Sequence, residues 1–423
     1  MEKNSTNNQN VTKEKLRLID EILCYKFNFG EVTVKTIDIL FTLVIITIGI
    51  MARIHLFNIA SGDYSSAFAD WMSEIDAAGG WAYIGIDPVT SDASTFDYNC
   101  IFQYCLCLLY TIGGGKIADI VLVKMLSCIF DFVLVFNATR VTYVLTGSVR
   151  KSMMVMAGVT LLPTVIMNSA AWAQNDAIFT SFLMLSFYSF LKKRDFRTWL
   201  YVSIAFIFKQ QTIFFLPFLI LMWLKNKTKI RYILLMPVVY FVQVIPAWIA
   251  GRSLGSLLGI YSNQVGMFSR LSMNYPNLYT VITAEISQSM RKIVIPSATL
   301  ITVMLMGILA YYIYEKKFEI TNEFMISLIV FTSALIVFCL PVMHERYAYI
   351  PEVFGVIYAM YGYRKFSCFV GIETLAIVTY IRYLFGSNVT YLYPFAMINL
   401  CIILVMGYDL YKQINDNAVQ VSE

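Results

Sequence analysis

"TIDILFTLVIITIGIMARIHLFNIASGDYSSAFADWMSEI" occupies residues 36–75. Its first half is apolar over roughly the ~20 residues a helix needs to cross a hydrocarbon core. Its second half turns acidic, through Asp63, Asp70 and Glu74. Phe68, Trp71, Met72 and Ile75 follow the i, i+3, i+4, i+7 spacing of one helical face, so an amphipathic helix is expected over about residues 65–77. Directly after a span, such a helix should lie in the membrane interface, with Trp71 at headgroup depth and Asp70 and Glu74 on the wet side. Asp63 precedes it. Two readings of that carboxylate stand side by side: the N-terminal cap of a surface helix, or a general base at the mouth of a membrane groove.

Apolar runs of similar length recur from Thr36 to Tyr411. Of the 423 residues, 58% are hydrophobic and 14% charged, against about a quarter charged in soluble domains. The expected fold class is therefore an all-α polytopic membrane protein. A membrane β-barrel would instead show ~10-residue segments of alternating polarity. The eight Cys lie mostly inside apolar runs, as in "YCLCLLY" (104–110), and form neither a disulfide framework nor a zinc spacing. The net charge of +5 is that of loops and not of a nucleic-acid binder.

Lys and Arg gather in short loops: "KKR" (192–194), "KNKTKIR" (225–231), "EKK" (315–317) and "RK" (364–365). By the positive-inside rule these face the cytoplasm, together with a polar tail over residues 1–35 that reads as no cleavable signal. One transmembrane domain is expected over 36–411, with a first external loop at 58–99, a large external loop at 251–294, and a cytoplasmic C-terminal tail at 412–423. Spans are expected at 152–168, 174–191, 197–208, 211–224, 230–250, 295–314, 323–341, 351–363, 366–385 and 389–411. The stretch 99–150 breaks the alternation. Parity requires an odd number of crossings there, yet two apolar runs flank "GGGK" (113–116). Three short tilted spans or a re-entrant piece would settle it, for a total of 12 to 14.

On this topology several polar segments converge on the external face. "PVMHERYAYIP" (341–351) sets His344, Glu345 and Arg346 together at a membrane boundary, where ionisable groups are costly and usually functional. Arg346 suits bidentate binding of phosphate and His344 can donate to it; the bland alternative is a loop with an internal Glu345–Arg346 pair. The other His, His55, reads as a span-end residue. In "NSAAWAQNDAIF" (168–179), Trp172, Gln174, Asn175 and Asp176 interrupt apolar runs, and the Gln, Asn and Asp offer groups suited to sugar hydroxyls. In "FIFKQQTIFFLP" (206–217), Lys209, Gln210 and Gln211 similarly break an apolar segment; Lys209 on the external side calls for an anionic partner, or else snorkels. The loop 251–294, rich in Ser, Asn and Tyr, adds Arg270 as a candidate for an anionic headgroup.

"GDYSSAFADWMSEI" (62–75) with "FDYN" (96–99), "WAQND" (172–176), "FKQQ" (208–211) and "HERYAYIP" (344–351), in that order, resemble the GT-C glycosyltransferases over about residues 36–363. The likeness is to bacterial enzymes related to GPI mannosyltransferase II and to the N-glycan-pathway glucosyltransferases. The resemblance implies a GT-C bundle that takes a monosaccharide from a polyprenyl-phosphate donor to an extracytoplasmic glycan or lipid-linked acceptor at the cell membrane. It implies no cofactor and no metal. Asp63 matches the catalytic base, and His344 matches the His beside the donor phosphate. Asp70, Asp97, Tyr98, Trp172, Gln174, Asp176, Gln210 and Glu345 join as substrate-binding candidates, and Arg346, Lys209 and Arg270 as further phosphate ligands. Two departures stand out: Ala173 replaces the Gly that relatives often have, and "YNCI" (98–101) replaces a Pro-containing turn, which leaves Asp97 and Tyr98 without a firm role.

The chemistry is coherent. A sugar hydroxyl is a poor nucleophile, so a carboxylate must take its proton, and the departing phosphate needs cationic donors. One base suffices for a single inverting displacement. Two other classes fit a polytopic chain. A lipid-linked-saccharide flippase or transporter should show an internal repeat and charges at mid-membrane depth; no repeat is visible. A Wzy-like polysaccharide polymerase relies on a large late external loop rather than an acidic first one.

Overall fold

The first apolar run folds as a single helix, α1 (Thr36–His55), entered through a small antiparallel hairpin of β1 (Lys26–Phe29) and β2 (Val32–Lys35). A computed structural model describes residues 15, 17, 19–29, 32–88, 98–264, 268–282, 285–386 and 391–418. Asp97 therefore lies outside the described residues. Past α1, a π-turn over Tyr64–Phe68 leads into α2 (Ala69–Ala77). Its apolar face is the expected one, but its partner is not lipid. Phe68, Trp71, Met72 and Ile75 are all buried in the protein core, with Trp71 edge-on to Phe68 and Tyr98. Trp71 thus packs against protein rather than lipid: α2 lies down onto the bundle, and its wet face keeps Asp70 exposed.

The stretch 99–150 resolves into α3 (Cys100–Gly113) and α4 (Asp119–Thr146). At 14 residues, α3 is too short for a straight crossing. Both its halves are tied to one end of the bundle. Tyr104 Oη donates to the Gln243 carbonyl (3.0 Å) and accepts from the Ala247 amide (3.1 Å). Near the other terminus, Tyr110 Oη donates to Asp76 (2.7 Å) and Trp81 Nε1 to Thr111 (3.0 Å). With α3 lying at that end, only α4, at 28 residues, has the length to run through the bundle.

Downstream helices alternate in direction. α5 (Val149–Leu161) is broken by Pro163, which has no amide to donate and resumes as Pro163–Ala171 at 44°. α6 (Asp176–Leu191) leaves, and α7 (Asp195–Phe208) returns. Next come α8 (Leu216–Leu224), α9 (Leu235–Ile249), α10 (Gln288–Glu315), α11 (Asn322–Cys339), α12 (Tyr349–Tyr358), α13 (Tyr363–Phe385) and α14 (Tyr393–Asp416). A two-residue parallel ladder joins β3 (Ser272–Met273) to β4 (Met343–His344), laying the long loop over the segment after α11.

Among the described residues the fold is all-α apart from these short ladders, and six helices are long and apolar enough to cross a membrane, or seven with the bent pair. The expected 12 to 14 is larger because several apolar helices stop short: Cys100–Gly113, Asp176–Leu191 and Gln210–Leu224 each span fewer than 18 residues. They end where polar residues interrupt the apolar pattern. α6 and α11 are buried on nearly every face, whereas α10 turns Ile293, Leu300, Val303 and Ile308 outward, as expected of a helix bathed in lipid.

Candidate functional site

Each helix break at one end of the bundle contributes a side chain to a single polar network around Asp63. Ser61, not Asp63, caps the helix start, its Oγ accepting the Tyr64 amide (3.1 Å) while donating to the Trp172 carbonyl (2.7 Å). That disposes of the capping reading and leaves the Asp63 carboxylate, partly exposed, for other work. Its Oδ2 accepts from Trp172 Nε1 (2.9 Å) and Gln174 Nε2 (2.5 Å), and its Oδ1 accepts from the Tyr383 hydroxyl. Arg346 approaches Oδ2 at 3.7 Å.

α6 and α7 explain the second half of the network. α6 has 16 residues and leaves the site at Asp176, covering about 24 Å at 1.5 Å per residue. α7 comes back along it and ends at Phe208, which delivers Lys209 beside Asp176 with Nζ–Oδ1 at 2.5 Å. The expected anionic partner of Lys209 is therefore Asp176. Lys209 also donates to Gln174 Oε1 (3.3 Å), which accepts Tyr98 Oη (3.0 Å) as well. Gln174 thus bridges Lys209 to Asp63. Asn168 donates to Asp176 Oδ2 at 2.8 Å.

Arg346 sits between the two carboxylates, 3.7 Å from Asp63 and 3.8 Å from Asp176, both beyond hydrogen-bond distance. Its guanidinium lies over the Trp172 and Tyr347 rings at 5.8 and 5.7 Å. Its Nε is buried without a hydrogen-bond partner among the described residues. An arginine held by aromatic faces, with its N–H groups not yet fully used, is well placed to bind an oxyanion in bidentate fashion.

Burial sets the remaining charges. It pulls the Lys209 ammonium down to about 7, helped by Arg346 and resisted by Asp176. It holds the His344 imidazole down at about 3, again with Arg346 contributing. His344 is consequently neutral near pH 7, and a single ring N–H is what it can offer a phosphate. The imidazole packs edge-on to Phe268 and against Tyr347. Burial pushes the Glu345 carboxyl up to about 7; this side chain is 1% exposed, and its Oε2, 3.9 Å from His344 Nδ1, has no hydrogen-bond partner among the described residues.

The structure therefore brings together Asp63, Tyr98, Trp172, Gln174, Asp176, Lys209 and Arg346, with His344 and Glu345 adjoining. It leaves Arg270 and Asp70 apart. Arg270 is exposed and pairs with Glu285 at 3.8 Å, Asp70 is exposed on α2, and Gln210 is half-buried while its neighbour Gln211 reaches Tyr347. Three site residues escaped the sequence reading. Tyr383 stacks on Trp172 with ring centroids 4.2 Å apart, Tyr380 meets the same ring edge-on, and Asn168 orients Asp176. The two tyrosines sit at the end of an apolar helix, where an interfacial aromatic is the ordinary expectation.

Backbone features hold the geometry. Ala173, between Trp172 and Gln174, has φ +68°, and Val342, just before the His344 segment, has φ +62°. Both are in the left-handed region that non-glycine residues avoid, a type of strain that clusters at functional sites. At Gly62, an added Cβ would stand 3.0 Å from Tyr383 Oη, so glycine permits the tyrosine to reach Asp63. Among the described residues no group of three or more His, Cys, Asp or Glu gathers in metal-binding fashion.

Compared with known protein families and with curated proteins, the chain matches none of them. Any functional reading rests on the site.

Proposed function

We propose that this chain is an inverting GT-C-type membrane glycosyltransferase that moves a monosaccharide from a polyprenyl-phosphate donor to an extracytoplasmic glycan or lipid-linked acceptor. The observation that supports this reading is the juxtaposition of a part-exposed carboxylate, Asp63, with an incompletely satisfied guanidinium, Arg346, 3.7 Å away. The acceptor hydroxyl gives its proton to Asp63 as its oxygen attacks the anomeric carbon. The bond from that carbon to the phosphate oxygen breaks, and its electron pair leaves with the polyprenyl phosphate. Trp172, Gln174 and Tyr383 fix the carboxylate, while Oδ1, bonded only to Tyr383 among the described residues, keeps a lone pair for the substrate. Arg346 and Lys209 offset the charge that builds on the phosphate.

The buried carboxyls of Glu352 and Glu373 would also suit a transporter. Incubating the purified chain with a panel of polyprenyl-phosphate monosaccharides and candidate acceptors decides between the two. The glycosyltransferase reading expects release of the lipid phosphate with at least one donor. Translocation of intact donor across proteoliposomes, with no phosphate released, would sink it.

A further inference from the structure

Behind the site, the broken helix Pro163–Ala171 faces α12 and α13 through two acidic side chains that the transfer reaction does not use. Glu373, on α13, accepts from the Thr164 amide (3.2 Å) and the Thr164 hydroxyl (3.0 Å), serving the free amides at the start of the resumed helix. Glu352, on α12, bears on Glu373 electrostatically and also faces Thr164. It is fully buried, and neither of its carboxyl oxygens has a hydrogen-bond partner among the described residues. No Lys, Arg or His lies within ion-pair distance of either carboxyl among the described residues. One helical turn on from Thr164 and one turn before Glu352, the Asn168 side-chain oxygen and the Tyr349 hydroxyl are also buried without a hydrogen-bond partner among the described residues, and Asn168 Nδ2 donates to the Tyr380 hydroxyl of α13 at 3.4 Å.

Buried polar atoms in native proteins are almost always paired. An uncompensated buried carboxylate is far too costly to persist unpaired. Here the Glu352 carboxyl, one amide oxygen and one phenolic oxygen lack a hydrogen-bond donor among the described residues, and the second carboxyl, Glu373, is served by Thr164 alone. An all-oxygen set with two carboxylates is what hard cations such as Ca²⁺ or Na⁺ select. From these observations we infer that Glu352, Glu373, Asn168 and Tyr349 form a buried all-oxygen site for a hard cation, which pins the broken helix to α12 and α13. The site would position rather than catalyse. Asn168 turns its nitrogen to Asp176 and its oxygen to the cation, and α13 also holds Tyr383 against Asp63. The inference does not depend on the glycosyltransferase reading.

The test uses the full chain purified in detergent, stripped with chelator into a buffer free of Na⁺ and Ca²⁺, and melted while CaCl₂ or NaCl is titrated, with choline chloride as the ionic-strength control. A cation that binds only the folded state must raise Tm in a saturable way. We expect a rise of a few degrees with one of the two salts, identifying which cation is held. Both Glu352→Gln and Glu373→Gln should lose that rise. Calorimetric titration of the stripped wild-type chain gives the same answer if either variant fails to fold. A wild-type Tm unmoved by both cations, or moved equally by choline chloride, overturns the site, as does a rise that survives in folded Glu352→Gln. A Tm that responds to pH alone overturns it too, since the pair then simply holds protons.

Discussion

Asp63 is held by three donors from two distant helix ends, and the two oxygens are used unequally, which is how a carboxylate becomes both fixed and available. Gly62 is part of that fixing. Replacing it with alanine places a methyl 3.0 Å from Tyr383 Oη, so Gly62→Ala should cost on the order of tenfold or more in turnover, as small misplacements of reacting groups do, with little change in Tm. Ala173 makes the opposite case. Its left-handed backbone costs an alanine about 1–2 kcal/mol, while glycine returns about 0.4–1 kcal/mol through unfolded-chain entropy. Ala173→Gly should therefore be neutral to mildly stabilising in thermal melts and keep its activity. Glu345 supplies a pH signature. Its carboxyl rises from 4.5 to about 7 on folding, so the folded state binds the extra proton between those values. Stability from this group is complete below pH 4.5 and is lost as pH climbs through about 7. Glu345→Gln should abolish that loss, and melting curves of the two proteins between pH 4 and 8 will show the wild type falling relative to the variant.

At the scale of elements, the site is a collection of helix breaks. α1 stops at His55, α5 kinks at Pro163, α7 ends at Phe208 and α11 ends at Cys339. Each break frees backbone groups that side chains must satisfy. Lys124 shows how. Fully buried on α4, its Nζ donates to the carbonyls of Leu56, Phe57 and Ile59 at 3.2, 3.0 and 2.6 Å, fixing the path that leads to Asp63. Below it, Arg53 pairs with Asp131 at 2.7 Å and ties α1 to α4. Lys124→Met should lower stability by about 1–3 kcal/mol, the usual cost of orphaning buried acceptors, and reduce turnover together with it; chemical denaturation and the transfer assay check both. These breaks were legible in the sequence because polar residues at 172–176, 209 and 344–346 interrupt apolar runs. Lys124 and Arg53 were not, since a charge inside a long helix gives no sign of which carbonyls or carboxylate it will find. Tyr383 was hidden for another reason: a tyrosine near a span end already has an ordinary explanation.

At the scale of the whole molecule, alternation of helix direction carries Asp63, Trp172, Lys209 and Arg346 to one end and the basic loops to the other. That alternation follows from hydrophobic period and Lys/Arg placement, and the sequence displays both. The number of crossings does not follow, because hydropathy cannot tell a short helix lying at one end, such as α3, from a tilted span. Topology is testable directly. Asp70→Cys, exposed near the site end, should react with a membrane-impermeant maleimide in intact cells, and Lys192→Cys, at the far end of α6, only after permeabilisation. Reversed labelling would invert the orientation proposed for the donor.

The central claim is that Asp63 takes the acceptor's proton. With the donor identified above at saturating concentration, single-turnover release of polyprenyl phosphate should fall about 10²–10⁴-fold in Asp63→Asn, the range expected for loss of a positioned base, while Tm and donor binding stay near wild type. Wild-type turnover in a folded Asp63→Asn protein would contradict the account.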